Sequence, residues 1–145
     1  VDLLNMKRCI ICPDYTMKYT GLLFMAPVSA GFPSPADDYI EDKLDLNKYL
    51  VKHPAATFFV KVNGDSMIGA GIHHGDILIV DRSLDPVDKK VVIAVVDGEL
   101  TVKRIRTGNG RIALVPENDA YQVLNIEDGM NFEIWGVVTS VIHSL

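Results

Sequence analysis

Long apolar runs are missing from this 145-residue sequence. No stretch approaches the roughly 18 consecutive apolar residues of a membrane-spanning helix. The nearest approach, Gly21 to Ala30, ends in the small-x-small pattern Val28-Ser29-Ala30 of a secretion signal. It is short, interrupted by Pro27, and preceded by a segment containing Asp2 and Asp14, so the expectation is a cytoplasmic chain without a membrane partner. Cysteine is scarce. Cys9 and Cys12 make one C-x-x-C, but no second Cys/His pair completes a zinc set and no βαβ pattern surrounds it as in a redox motif. The two are expected to be ordinary apolar positions of a strand, and neither a metal nor a cofactor is expected. A basic excess is also absent. The net charge is −5, whereas a nucleic-acid surface must neutralise phosphates, so direct sequence-specific DNA binding is not expected.

What remains is a globular composition, 48% hydrophobic and 23% charged. A chain of this length buries roughly two-thirds of its unfolded surface, enough for one domain without disulfides or metals. The charge is unevenly spread. Residues 1–30 carry three basic and two acidic groups, and the remainder eleven and seventeen. The body after residue 30 is therefore acidic.

The pattern along the chain is mostly that of strands. Up to Ala30, apolar patches alternate with Pro13 and Gly21, which reads as an arm with short extended pieces. Gly31-Phe32-Pro33-Ser34-Pro35 is a stiff linker, since each proline biases its predecessor to extended geometry. Ser34 has the look of a helix N-cap, with Pro35 at the first helical position and Asp37 at the third. A helix to about Leu44 is expected, with another turn from Asp45 to Val51, ended by His53-Pro54. Strands are expected at Thr57–Val62, Asp76–Val80, Val91–Val96, Glu99–Arg106, Arg111–Val115 and Phe132–Ile142. Asp97-Gly98 is a two-residue hairpin signal, and residues 107–110 make a further turn. The expected fold class is mainly β: a compact body of short twisted strands with an N-terminal arm.

Three places carry chemistry. Gly64-Asp65-Ser66-Met67 follows a strand, where glycine permits a tight turn that exposes a serine hydroxyl and aims successive amides at one spot. A turn serine that bonds its own backbone gives the same pattern. In the strand from Glu99, alternation puts Thr101, Lys103 and Ile105 on one face. A lysine among apolar neighbours is a candidate for burial, which lowers its pKa and makes it a usable base. A lysine snorkelling to solvent would read identically. Val28-Ser29-Ala30-Gly31 offers small residues at a bond to be cut, or a plain hinge. His73 and His74 follow Ser66 closely and are rival bases, but no acid–His–Ser order is evident, and a loop pair of histidines is usually solvated.

Taken jointly, these segments resemble the LexA/UmuD family of self-cleaving proteins. The likeness runs over residues 28–142 and rests on Val28-Ser29-Ala30-Gly31, the following Phe32-Pro33-Ser34-Pro35-Ala36, Phe59 through Met67, Gly75-Asp76, Ile79-Val80-Asp81 and Gly98 through Arg104. The separations match too, with Ser66 35 positions after Gly31 and Lys103 37 after Ser66. The short arm, the F-P-S-P-A linker and the acidic segment after it are closest to the UmuD branch. Ala30 departs from that branch, whose best-known members have cysteine there, and agrees with the LexA branch.

The resemblance implies Ser66 as nucleophile, Lys103 as its base, the backbone amides of Asp65 and Ser66 as oxyanion donors, and Ala30–Gly31 as the self-cleavage bond. It divides the chain into an arm, 1–30, removed by cleavage, and a peptidase and dimerisation domain, 31–145. It further implies an SOS-response homodimer, stimulated to cleave by the RecA filament. After cleavage it would serve a UmuC-type Y-family DNA polymerase in error-prone translesion synthesis. The competing expectations are a non-catalytic dimeric polymerase-interaction module and the C-terminal domain of a LexA or phage-type repressor. The dimer interface is sought in the segment from Phe132 to Ile142.

Overall fold

A computed structural model describes residues 10–11, 20–24, 30–31 and 41–145 of the chain. The strands are β1 (Ile10–Ile11), β2 (Thr20–Phe24), β3 (Glu41–Asp45), β4 (Thr57–Lys61), β5 (Ile77–Asp81), β6 (Val91–Val96), β7 (Glu99–Gly108), β8 (Arg111–Val115), β9 (Leu124–Ile126) and β10 (Phe132–Ile142). A helix α1 (Leu46–Leu50) follows β3. The protein is mainly β, as expected. Among the described residues, no helix is long and apolar enough to cross a membrane.

The chain divides into two compact units. The first comprises residues 1–13 and 53–145. It holds an antiparallel sheet in the order β1-β4-β5-β10-β6-β7-β8-β9. The run Val91-Val92-Ile93-Ala94-Val95-Val96 lies near its middle and is buried on both faces, which is why it reads as continuously apolar. Ile93 packs with Phe58, Val60, Leu78 and Met67 on one side. Val92 and Ala94 pack with Ile105, Leu114 and Val137 on the other. Asp97 and Gly98 join β6 to β7 with φ of 47° and 85°, the two left-handed residues of a type I′ turn. This turn fixes the register that sets Lys103 opposite Val92. β10 pairs with β5 along one edge and β6 along the other. Each backbone edge is therefore occupied over about half of the strand, by β6 along Phe132–Val137 and by β5 along Val137–Ile142.

The second unit, residues 14–52, contains the two-stranded ribbon of β2 and β3 followed by α1. Here the expectation of a helix running to Leu44 is corrected. Glu41 to Asp45 is a strand, paired from Phe24↔Glu41 to Thr20↔Asp45. Glu-Asp-Lys-Leu-Asp has little intrinsic strand preference, and the ladder to β2 overrides it. The expected turn after Asp45 is present. Asp45 caps α1, its carboxylate accepting from the amides of Asn47 and Lys48. The expected cap at Ser34, the Pro35 and Asp37 positions, and the strand positions of Cys9 and Cys12 lie outside the described residues.

Candidate active site

The site is assembled where the chain leaves β4. Val62 donates its amide to Asp76 and accepts from Gly75, which closes the base of the loop. Gly64 turns the chain with φ of 103°, and its amide donates to His74 Nδ1 at 3.1 Å. Asp65 is exposed, Ser66 half-buried, and Met67 only 1% exposed, sunk in the core. Met67 thus anchors the loop from below and leaves the Ser66 hydroxyl at the surface. The amides of Asp65 and Ser66 donate to no acceptor among the described residues.

Lys103 comes from β7, on the face that alternation predicted. Its ladder partner Val92 and Ile105, two residues along the same strand, are both buried. The ammonium donates to Ser66 Oγ at 2.8 Å, to Thr101 Oγ1 at 2.9 Å and to the Val102 carbonyl at 3.0 Å. Burial holds its pKa below the ordinary lysine value. Residues 37 positions apart are therefore brought into hydrogen-bond contact, and the expected pairing of Ser66 with Lys103 is present in the geometry.

A third segment, 117–121, was not foreseen. The Glu117 amide donates to the Ser66 carbonyl at 2.8 Å, and its own carbonyl accepts from Gly69 at 2.8 Å. Asn118 Nδ2 donates to the Asp65 carbonyl at 3.0 Å, and the Tyr121 hydroxyl donates to the Asp65 carboxylate at 2.5 Å. The hydrogen bond to Asp65, then its charge, pushes the Tyr121 pKa above the ordinary phenol value. Glu117 also pairs with Arg104, the neighbour of Lys103. This segment therefore clamps the serine loop and ties it to β7. The signal in the sequence was the turn cluster Pro116-Glu117-Asn118-Asp119 followed by an exposed Tyr121.

Beside Lys103 runs a groove of about 510 Å³, lined by Val96, Leu100, Thr101, Leu124 and Met130 among others. Its lining also includes the acidic Asp97 and Glu99. Ala30 and Gly31 belong to the second unit, where both are exposed at a bend. Val28 and Ser29 lie outside the described residues. Among the described residues, no histidine bonds the Ser66 hydroxyl. His74 instead accepts from Gly64, while His73 and His143 gather at Asp76.

The model of the Peptidase S24-like family matches residues 23–139. Protein SamA of Salmonella typhimurium strain LT2 is 51% identical over 135 residues, covering 92% of this chain and 94% of its own length. Protein ImpA of Escherichia coli is 48% identical over 131 residues, covering 90% and 89%. Protein MucA of Escherichia coli is 46% identical over 123 residues, covering 84% and 82%. The resemblance first carried by scattered motifs thus extends over most of the chain, which belongs to the Peptidase S24-like family of serine peptidases as a UmuD-like member.

Proposed function

We propose that this chain cleaves itself once between Ala30 and Gly31, with Ser66 as nucleophile and Lys103 as general base. The observation that carries the reading is the 2.8 Å contact between Lys103 Nζ and Ser66 Oγ, made by a lysine whose charged form burial disfavours. Neutral Lys103 takes the hydroxyl proton as Ser66 Oγ bonds to the Ala30 carbonyl carbon. The amides of Asp65 and Ser66 stabilise the resulting oxyanion. The carbon–nitrogen bond to Gly31 then breaks, and the Lys103 ammonium returns its proton to the leaving amine. Water, deprotonated by Lys103, releases the acyl group as the carboxylate of Ala30 and restores Ser66. The substrate carbonyl arrives from the same chain or from a second copy.

Membership of the family supports a wider role. The chain acts as a cytoplasmic homodimer in the SOS response to DNA damage, and the RecA filament on single-stranded DNA stimulates its cleavage. The shortened dimer, residues 31–145 of each copy, then serves as accessory subunit of a UmuC-type Y-family polymerase in translesion synthesis. Loss of residues 1–30 leaves the acidic part of the sequence as the binding body.

The test is incubation of the purified chain at about pH 10, near the ordinary pKa of lysine, followed by mass spectrometry. Two fragments separated between Ala30 and Gly31 are expected without any partner. Ser66→Ala and Lys103→Ala are expected to stay intact. A Lys103→Ala chain that still cuts at that pH overturns the base assignment. Addition of RecA filament at neutral pH should then produce the same cut.

A further inference from the structure

Outside the Ser66 site, the register of the sheet gathers a second group of reactive side chains. β5 and β10 pair out to Ile77↔Ile142. The next residue on each strand continues the pair, so Asp76 and His143 face one another, with His143 Nδ1 2.6 Å from Asp76 Oδ1. A tight turn supplies the third member. The Asp76 amide donates to the His73 carbonyl, and the His73 amide donates to Asp76 Oδ2 at 2.8 Å. This turn brings His73 Nδ1 to 3.8 Å from the same carboxylate. The two imidazole rings lie 4.9 Å apart, and one ligand atom from each of the three residues falls within 4.8 Å of the others.

The surroundings are those of a built site. The Asp76 side chain is 3% exposed, while His73 and His143 are 50% and 45% exposed. A buried, backbone-fixed carboxylate thus lies beneath two accessible imidazoles. Two nitrogens and one carboxylate oxygen are the donor set of zinc and its neighbours rather than of magnesium or calcium, which demand oxygen. Tetrahedral bonds of about 2.1 Å place donors roughly 3.4 Å apart. Closing the set requires the His143–Asp76 hydrogen bond to open and the exposed imidazoles to swing by about 1–1.5 Å, and a fourth position stays open to water.

We propose that His73, Asp76 and His143 form a binding site for a divalent transition-metal ion of the zinc type, pinning the end of β10 to the loop before β5. The serine–lysine pair is not involved. The adjacent His74, which holds the Gly64 amide, places the site one residue from the support of the serine loop.

The test is calorimetric titration of the untagged full chain, carrying Ser66→Ala to prevent cleavage, with zinc chloride at neutral pH. Saturable binding of one ion per chain is expected. His73→Ala and His143→Ala should each weaken it by about tenfold or more. His53→Ala removes a lone histidine–aspartate pair elsewhere and should leave the affinity unchanged. Nuclear magnetic resonance of the unsubstituted histidines reads the same question without a risk to folding. The ring signals of His73 and His143 should move with zinc before those of His53 and His74. Absence of saturable binding, unaltered affinity in His143→Ala, or equal response of all four rings overturns the site.

Discussion

Lys103 meets opposing demands. Its hydrogen bonds to Ser66, Thr101 and Val102 favour an ammonium, while burial on β7 disfavours one and prevails. The folded-state pKa therefore lies below that of the unfolded chain, whose lysine titrates near 10.4. Below the folded value, the unfolded state binds its proton more tightly, so this residue costs stability. The cost is relieved as pH rises from the folded value towards the unfolded one. Lys103→Met should remove it. With Ser66→Ala in both chains to prevent cutting, the methionine variant should melt at or above the temperature of its parent at pH 7. The difference should shrink as pH approaches about 10. Thermal melts at several pH values check this. A variant that melts well below its parent at pH 7 would show that the three hydrogen bonds outweigh burial.

At the scale of elements, the serine loop depends on a segment that runs alongside it. Gly69 donates its amide to the Glu117 carbonyl, and a Cβ added at Gly69 would lie 2.7 Å from that oxygen. The obstruction is backbone, so it cannot rotate away. Gly69→Ala should cost about 1–3 kcal/mol in urea denaturation, the usual range for overpacking. It should also slow alkaline self-cleavage at least about tenfold, because residues 117–121 hold both Asp65 and Ser66. Full cleavage in a destabilised variant would reduce that segment to a stability element.

The same contrast explains what could be read in advance. β6, β8 and β10 were bounded correctly because apolar and β-branched residues fill them and turn residues flank them. Ser66 and Lys103 were individually ambiguous, and only the likeness of their order and spacing to the LexA/UmuD pattern suggested them as a pair. The clamp at 117–121 was missed because its bonds are backbone and polar contacts, which leave no hydrophobic period. β9 was missed because Leu124, Asn125 and Ile126 make one short strand with two exposed positions. β3 was misread because its partner, not its own composition, makes it a strand. The cluster at His73, Asp76 and His143 depends on a register between distant strands that no local pattern reveals.

Over the first compact unit as a whole, the response to acid should be governed by aspartates that are buried yet charged. Asp81 closes β5 at 4% exposure. Its carboxylate accepts from the Ser83 amide and hydroxyl at 2.8 and 2.6 Å, and lies 2.6 Å from His53 Nδ1. Burial alone would raise its pKa, but the bonds from Ser83 and His53 more than offset this and leave it below the ordinary carboxylate value. A depressed folded-state pKa contributes stability that is fully present above the unfolded value of about 3.9 and is lost as pH falls through the folded one. Asp81→Asn keeps the shape and removes the charge. It should therefore melt below the wild type at pH 6. The two curves should begin to converge as pH falls below about 3.9 and should meet only once it has passed the lower folded-state value, where the wild-type carboxylate becomes neutral as well. Thermal melts of both chains with Ser66→Ala, from pH 6 downwards, decide the matter. A gap that stays constant across that range would place the contribution of Asp81 in its shape and hydrogen bonds rather than in its charge.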